Sequence, residues 1–479
     1  MKYQLTGGAM HGIVTSVATS GKIAYAGTDN GWVSTVDMAA GLIVDQVKYA
    51  LPVLDLAVDG PTLYVLTTQK LSIVPLDVYP FGEVSSYTFP SALSNFGYRA
   101  RLFVAGGTAY IAQRSGYRTI DVSNRLVPVG LALGDSSAQF GWKQIVLNGS
   151  GLGIAAVGNN STTDGPHGID LYDTTDRNVN NNYVTTFDMP ANARAVTLYN
   201  GLAYVATSEQ GLTVLNYLPY DTNHVPPTVS FTVTNNAGVV TSDQRLFIDV
   251  NAQDDRQVRN VTLLVDGNPV GRDGNYPFQF SIYAPSISAQ STVTINVVAT
   301  DTGGNTTVGT PQVFTVGPDT TGPEISTSTP REGALGAEIS QIVLYFSELL
   351  DTSVINLSGF TLTNLGADGV AGGGDDTNFT LSHLDFAEDK RIVISGDSNL
   401  PEGIYQLTIS PSVIHDLSGN PMVTPFVLSF GANGTPPDGS TNYWTRLGDG
   451  DWTDPGNWSN GQLPVGTDHV WIHQPAGVP

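Results

Sequence analysis

Ala195-Val-Thr-Leu198, Gly201, Ala203-Tyr-Val-Ala206 and Leu212-Thr-Val-Leu215 form the last of five copies of one pattern. Each copy is an apolar strand, a glycine, a second strand built on Ala-Tyr-Val-Ala or a close variant, and a third strand. The earlier copies begin at Ile13-Val-Thr-Ser-Val17 with Gly21, Val53-Leu-Asp-Leu-Ala57 with Gly60, Arg101-Leu-Phe-Val104 with Gly107, and Gln144-Ile-Val-Leu147 with Gly151. The marking glycines stand 39, 47, 44 and 50 residues apart. A period of about 40–50 residues with strand patterning predicts a β-propeller, in which small sheets pack radially around a channel.

The first strand of each copy is apolar and is expected to line the centre. The glycine opens a turn that a side chain would strain. An outer strand follows the third in four copies, as in Leu42-Ile-Val-Asp-Gln-Val47 and Tyr183-Val-Thr-Thr-Phe187. The fifth copy lacks one, and the chain turns into Pro219 and Pro226-Pro227. Tyr3-Gln-Leu5 is expected to supply the missing strand. That closes a five-bladed ring over residues 1–221 and removes two exposed sheet edges.

The stretch Arg118-Thr-Ile-Asp-Val-Ser-Asn124 with Pro128-Val-Gly130 resembles the LVIVD-type repeats of bacterial and archaeal surface propellers. The resemblance covers roughly the first 220 residues. It implies a propeller fold and a surface setting, without an assigned activity.

After the Asp221–Pro227 linker come short alternating strands such as Arg245-Leu-Phe-Ile-Asp-Val250, Val261-Thr-Leu-Leu-Val-Asp266 and Thr292-Val-Thr-Ile-Asn-Val-Val298. About seven of them in ~95 residues predict a β-sandwich over 222–316. Asp254-Asp255, Val261-Thr-Leu-Leu-Val-Asp-Gly267 and Val298-Ala-Thr-Asp-Thr-Gly-Gly-Asn305 resemble bacterial immunoglobulin-like modules. A second linker, Gly317-Pro-Asp-Thr-Thr-Gly-Pro323, opens another β-sandwich over 317–431. There Ile342-Val-Leu-Tyr-Phe-Ser-Glu348, Gly403-Ile-Tyr-Gln-Leu-Thr-Ile409 and Asp416-Leu-Ser-Gly-Asn420 resemble the immunoglobulin-like modules of S-layer-type proteins. Both resemblances imply a spacer or stalk. Residues 432–479, with Asp451-Trp-Thr-Asp-Pro-Gly-Asn-Trp-Ser459, read as the Trp-rich start of a further β domain, truncated at Pro479.

Composition narrows the function. The 479 residues include 53 glycines and no cysteine, which removes disulfides, thiolate metal sites and cysteine nucleophiles. No run approaches the ~18 apolar residues of a membrane helix. Met1-Lys-Tyr-Gln-Leu-Thr-Gly-Gly8 is not a signal peptide. The net charge of −23 is uneven: −4 over residues 1–221 and −19 over 222–479. Such acidity disfavours nucleic acid and attracts divalent cations.

Several clusters are candidate sites. Asp368, Asp375, Asp376 and Asn378 lie on a glycine-rich loop, which suits calcium because glycines let backbone oxygens join carboxylates around a hard cation; the alternative is an acidic hairpin. Asp254, Asp255, Asp301 and Asn305 form either a second calcium site between modules or ordinary turn braces. Asp449, Asp451 and Asp454 pose the same choice. His11, Arg99, Lys143 and Arg194 precede or open equivalent inner strands. They would ring one mouth of the channel, ready for a carboxylated or sulfated ligand or simply bracing neighbouring blades. Trp444, Trp452 and Trp458 are either core or a sugar-stacking platform. His469 and His473 share a strand face but lack a third zinc ligand.

Catalytic motifs are missing: there is no Gly-x-Ser-x-Gly, His-Glu-x-x-His or phosphate loop. Asp55 is the one acid expected on an inner strand. The expectation is therefore a non-enzymatic extracellular or cell-surface protein for adhesion or surface assembly. Its propeller would be the head and its immunoglobulin-like modules the spacer; calcium is the one cofactor foreseen. Its partner would be a surface polysaccharide, a protein or copies of itself, with no nucleic acid and no membrane span. The alternatives are a secreted polysaccharide-active enzyme and a structural S-layer or filament subunit.

Overall fold

Among the described residues, nineteen strands in sequence order build the first half of the chain. The first sheet is β1 (Val14–Ser20), β2 (Ile23–Thr28), β3 (Trp32–Asp37) and β4 (Leu42–Lys48). The second is β5 (Asp55–Asp59), β6 (Thr62–Leu66), β7 (Lys70–Pro75) and β8 (Ser85–Thr88). The third is β9 (Arg101–Ala105), β10 (Thr108–Gln113), β11 (Gly116–Asp121) and β12 (Val129–Gly130). The fourth is β13 (Trp142–Leu147), β14 (Leu152–Val157), β15 (Gly168–Asp173) and β16 (Tyr183–Asp188). The fifth is β17 (Ala193–Tyr199), β18 (Leu202–Thr207) and β19 (Gly211–Leu215), three strands among the described residues.

The computed structural model describes residues 12–38, 41–76, 82–93, 99–134, 141–157, 168–208, 210–233, 238–336, 339–387, 390–432, 442–447 and 450–472. These are all-β: strands and three single-turn 3-10 helices, with no α-helix among them. The expected closing strand Tyr3–Leu5 lies outside the described residues. Among the described residues no helix is long and apolar enough to cross a membrane.

The glycine repeat does what its spacing predicted. Asn200 and Gly201 both have positive φ, 50° and 80°, which is the backbone of a two-residue hairpin turn. Gly106 and Gly107, at 55° and 69°, make the same turn between β9 and β10. Between successive sheets lie apolar cores. Leu54, Leu66, Ile73, Leu102, Ile111 and Ile120 fill one between the second and third sheets. Tyr110, Tyr117, Trp142 and Tyr172 fill another between the third and fourth, with Trp142 and Tyr172 ring centres 5.0 Å apart. Ile154, Ile169, Val196 and Val205 fill the next. Each such side chain stabilises the fold by roughly 1.5–3 kcal/mol when fully buried. The first strands pack side by side in order, β5 on β9, β9 on β13 and β13 on β17.

Residues 15–19 and 51–317 form one compact unit; residues up to 14, 20–50 and from 318 onward form another. In the first unit, a sandwich follows the sheets. One layer is Thr228–Val233, Arg245–Gln253 and Phe278–Tyr283. The other runs Val239–Thr241, Gln312–Gly317, Thr292–Asp301, Val258–Val265 and Asn268–Asp273, with Thr306–Val308 on its side. Ile248, Val261, Ile295 and Phe314 meet between them.

In the second unit, a sandwich pairs Ile325–Thr329, Ile342–Phe346, Arg391–Ser395 and His383–Ala387 with a five-stranded sheet containing Gly403–Ile409 and Phe426–Ala432. Leu344, Ile392, Leu407 and Phe430 lie at its centre. This sandwich holds β3 and β4 through ion pairs Arg391–Asp37 and Arg331–Asp45.

Candidate functional site

The turns joining first and second strands carry the first sandwich. At the β5–β6 turn, Gly60 N–H donates to Gln279 Oε1 at 3.0 Å, and Gln279 Nε2 donates to Asp59 Oδ1 at 2.5 Å and Asp249 Oδ1 at 2.7 Å. Burial, then the Asp249 charge, push the Asp59 carboxyl up to about 6 against the Gln279 bond. At the β13–β14 turn, Tyr276 packs so closely on Gly149 that an added Cβ would lie 2.5 Å from its ring. The hydroxyl of Tyr276 approaches Gly106 of the β9–β10 turn in the same way, at 3.1 Å. At the β17–β18 turn, Asn200 N–H donates to Gly274 O at 2.9 Å and Gln257 Nε2 to Gly201 O at 2.8 Å. At Gly60 and Gly201 the glycine that marks the repeat is thus also where the neighbouring module approaches the backbone; in the other two turns the approach is to Gly106 and Gly149.

The opposite ends of the same strands carry cations. Arg99 lies two residues before β9, Lys143 is the second residue of β13 and Arg194 the second of β17. Inner strands of five to seven residues span roughly 17–20 Å between the two ends. Arg194 is exposed and Arg99 half-buried, whereas Lys143 is only 7% exposed. Burial, reinforced by Arg194, lowers the Lys143 ammonium to about 7. Burial, then the Arg101 charge, likewise lower Arg99, opposed by Asp55. His11 lies outside the described residues.

Asp55, the expected inner-strand acid, is nearly buried and fully engaged. Its Oδ1 accepts from Ser16 Oγ at 2.6 Å, and its Oδ2 accepts from Leu102 N at 2.8 Å and faces Arg101 Nε at 3.0 Å. It staples β1, β5 and β9. Arg101 was overlooked in the sequence; its signal was alternation with Arg99, two residues apart on one strand entry.

Of the acidic candidates, Asp254 and Asp255 approach a residue the sequence reading left in the linker, Asp221; oxygens of the three lie within 4.8 Å of one another. Burial raises the Asp254 carboxyl; the backbone donors of Arg256 and Gln257 pull it down, and the charges of Asp301 and Asp255 add to the rise. Asp301 is spent on its loop: both its oxygens accept from Asn305, at 2.8 and 2.9 Å.

On the glycine-rich loop, Asp368, Asp375 and Asp376 come together; each accepts a backbone N–H, from Val370, Ala367 and Gly372, and Asp376 Oδ1 has no hydrogen-bond partner, but Asp368 and Asp375 are exposed. Asn378 belongs to a strand and accepts from Thr363 Oγ1 at 3.1 Å. A further trio, Asp319, Glu348 and Asp416, was not singled out. Burial and then Asp319 push Glu348 up to about 8, so a proton relieves the crowding there.

Asp451 and Asp454 cap turns at Thr453 and Gly456; Asp449 and His473 lie outside the described residues, and His469 is exposed. Trp444 and Trp458 are core with Leu335, while Trp452 is half exposed and stacked on Trp444 at 6.5 Å.

Three family models match in order along the chain: the LVIVD repeat over 97–129 and 190–216, the bacterial Ig domain over 227–297, and the bacterial Ig-like domain over 319–432. The chain carries LVIVD repeats followed by two bacterial immunoglobulin-like domains. These domains fit a surface or extracellular protein. No curated protein matches the chain. Solved structures similar to it include BamB from Moraxella catarrhalis, at 14% identity over 63% of this chain and 86% of that one, with a TM-score of 0.30. The Cps50 (Swd1) β-propeller domain of Myceliophteria thermophila is similar at 13% identity over 43% and 73%, TM-score 0.28. PcoC, a methionine-rich copper resistance protein from Escherichia coli, is similar at 21% identity over 24% and 100%, TM-score 0.20. Within the LVIVD segments lie Arg99, Arg101 and Arg194, so the repeat itself brings the cations to the strand entries.

Proposed function

We propose that the chain is a non-catalytic adhesion protein of the cell exterior. Its LVIVD sheets present the Arg99–Lys143–Arg194 end to an anionic surface polysaccharide or protein, and its immunoglobulin-like domains mount them. The observation that carries this reading is the division of labour along the inner strands. One end is occupied by the first immunoglobulin-like domain through Gln279, Tyr276 and Gln257, and the other gathers positive charge in a chain of net charge −23. A local cationic patch on an acidic protein binds anions selectively instead of coating any polyanion. The full engagement of Asp55 supports a binding role over glycoside chemistry, which needs carboxylates at liberty. Many copies on one surface would add avidity.

Binding of the full chain to immobilised dextran sulfate, with neutral dextran as reference, tests the reading. Retention on the sulfated matrix that weakens with salt, and at least tenfold with Arg194→Glu or Arg99→Glu, is expected. Equal retention on both matrices would overturn it.

A further inference from the structure

We infer that Asp221, Asp254 and Asp255 form a calcium site that locks the first immunoglobulin-like domain to the LVIVD sheets. The three residues come from two stretches of chain: Asp221 from the connector after β19, and Asp254-Asp255 from the turn between Arg245–Gln253 and Val258–Val265. Their nearest oxygens lie within 4.8 Å of one another, the separation expected when each stands 2.3–2.6 Å from one shared ion. Among the described residues none of the three joins an ion pair.

The decisive residue is Asp221. Its side chain is fully buried, its Oδ1 accepts from Asn223 N at 2.9 Å, and its Oδ2 has no hydrogen-bond partner. A buried carboxylate oxygen without a partner is costly unless a cation or donor meets it. Asp254 repeats the arrangement: Oδ2 accepts from Arg256 N and Gln257 N at 2.9 and 3.0 Å, while Oδ1 is also unpartnered. Asp255 is exposed and held by Asn223 Nδ2 at 2.6 Å, which fixes its place beside the other two. Gly303 leaves the room: a Cβ there would lie 2.9 Å from Asp221 Oδ2. The chemistry is that of a hard cation with carboxylate oxygens, and the flexible spacing suits calcium better than the tighter octahedral demands of magnesium.

The site's position gives it a job. The backbone N–H of Asp254 donates to Ser150 Oγ at the β13–β14 turn at 3.2 Å, and adjacent Gln257 bonds Gly201 O and Tyr217 Oη. An ion here would fasten the connector and the domain's turn where the domain meets the sheets. Binding only the docked state, it would stabilise that state by mass action.

Calorimetric titration of chelator-treated full chain with calcium chloride, paired with thermal unfolding, tests the inference. A calcium-dependent rise in melting temperature is expected, with affinity reduced at least tenfold in Asp221→Asn and in the exposed Asp255→Asn, and unchanged in Asp375→Asn. The Asp255→Asn chain keeps the test valid if Asp221→Asn fails to fold. No calcium-dependent shift, or a shift that Asp255→Asn leaves intact, would overturn the assignment.

Discussion

Asp55→Ala removes the acceptor that joins three inner strands, and its cost can be worked from the contacts. The Leu102 N–H loses its 2.8 Å partner in a place where Leu102 is 7% exposed. An unsatisfied buried donor costs about 1–3 kcal/mol. Ser16 Oγ loses its 2.6 Å acceptor but still receives Leu56 N–H at 2.8 Å, so its share is smaller, about 1 kcal/mol. Arg101 is 37% exposed and can hydrate, so its ion pair adds less than about 1 kcal/mol. The total is roughly 3 kcal/mol, a drop of about 6–12 °C in the transition of the LVIVD sheets. Asp55→Asn keeps an oxygen for Leu102 and is expected to recover about half of it. Differential scanning calorimetry with urea titration reads both. If Asp55→Ala lies within about 0.5 kcal/mol of the parent, the staple is not structural, and Asp55 returns as a candidate chemical group on the inner strands.

Lys143, lowered to about 7, gains charge as pH falls; binding to dextran sulfate is expected to strengthen between pH 8 and 6, and Lys143→Met to flatten that profile. The same lowering means the unfolded chain binds more protons between about 7 and the ordinary lysine value, so this residue's contribution to stability rises with pH across that window. Glu348 works the other way. With its folded carboxyl at about 8 it holds a proton the unfolded chain releases, so stability falls as pH rises from about 4.5 to 8, and Glu348→Gln is expected to abolish that slope in a melting series. Gly322→Ala would place a Cβ 1.9 Å from the Pro421 carbonyl oxygen; backbone must move, and a loss of about 2 kcal/mol or more in the second immunoglobulin-like domain is expected by calorimetry. Gln279→Ala leaves Asp59 and Asp249 facing each other without their shared donor, and faster limited proteolysis of the Asp221–Pro227 connector is expected.

The fold was readable because it is written locally. Alternating apolar residues and glycine turns repeat within each copy, and the positive φ of Asn200 and Gly201 is what a two-residue hairpin turn asks of an Asn-Gly pair. The domain junction was not readable, because it rests on single polar side chains brought from far away: Gln279 reaches Asp59 across 220 residues. The cations were found because the repeat puts them in register, but the burial that lowers Lys143 and the tie between Arg101 and Asp55 depend on neighbouring sheets. Composition exposed the acidic loops and could not rank them. The glycine-rich loop looked richest, yet Asp368 and Asp375 on it are exposed, while Asp221 looked like linker and proves fully buried.

Hydrogen exchange on the full chain, with and without dextran sulfate, addresses the binding end most directly. Protection at 99–101, 142–144 and 193–195, with the turns at 59–60 and 200–201 unchanged, is the predicted result. Protection confined to those turns, or none at the cationic entries, would contradict it.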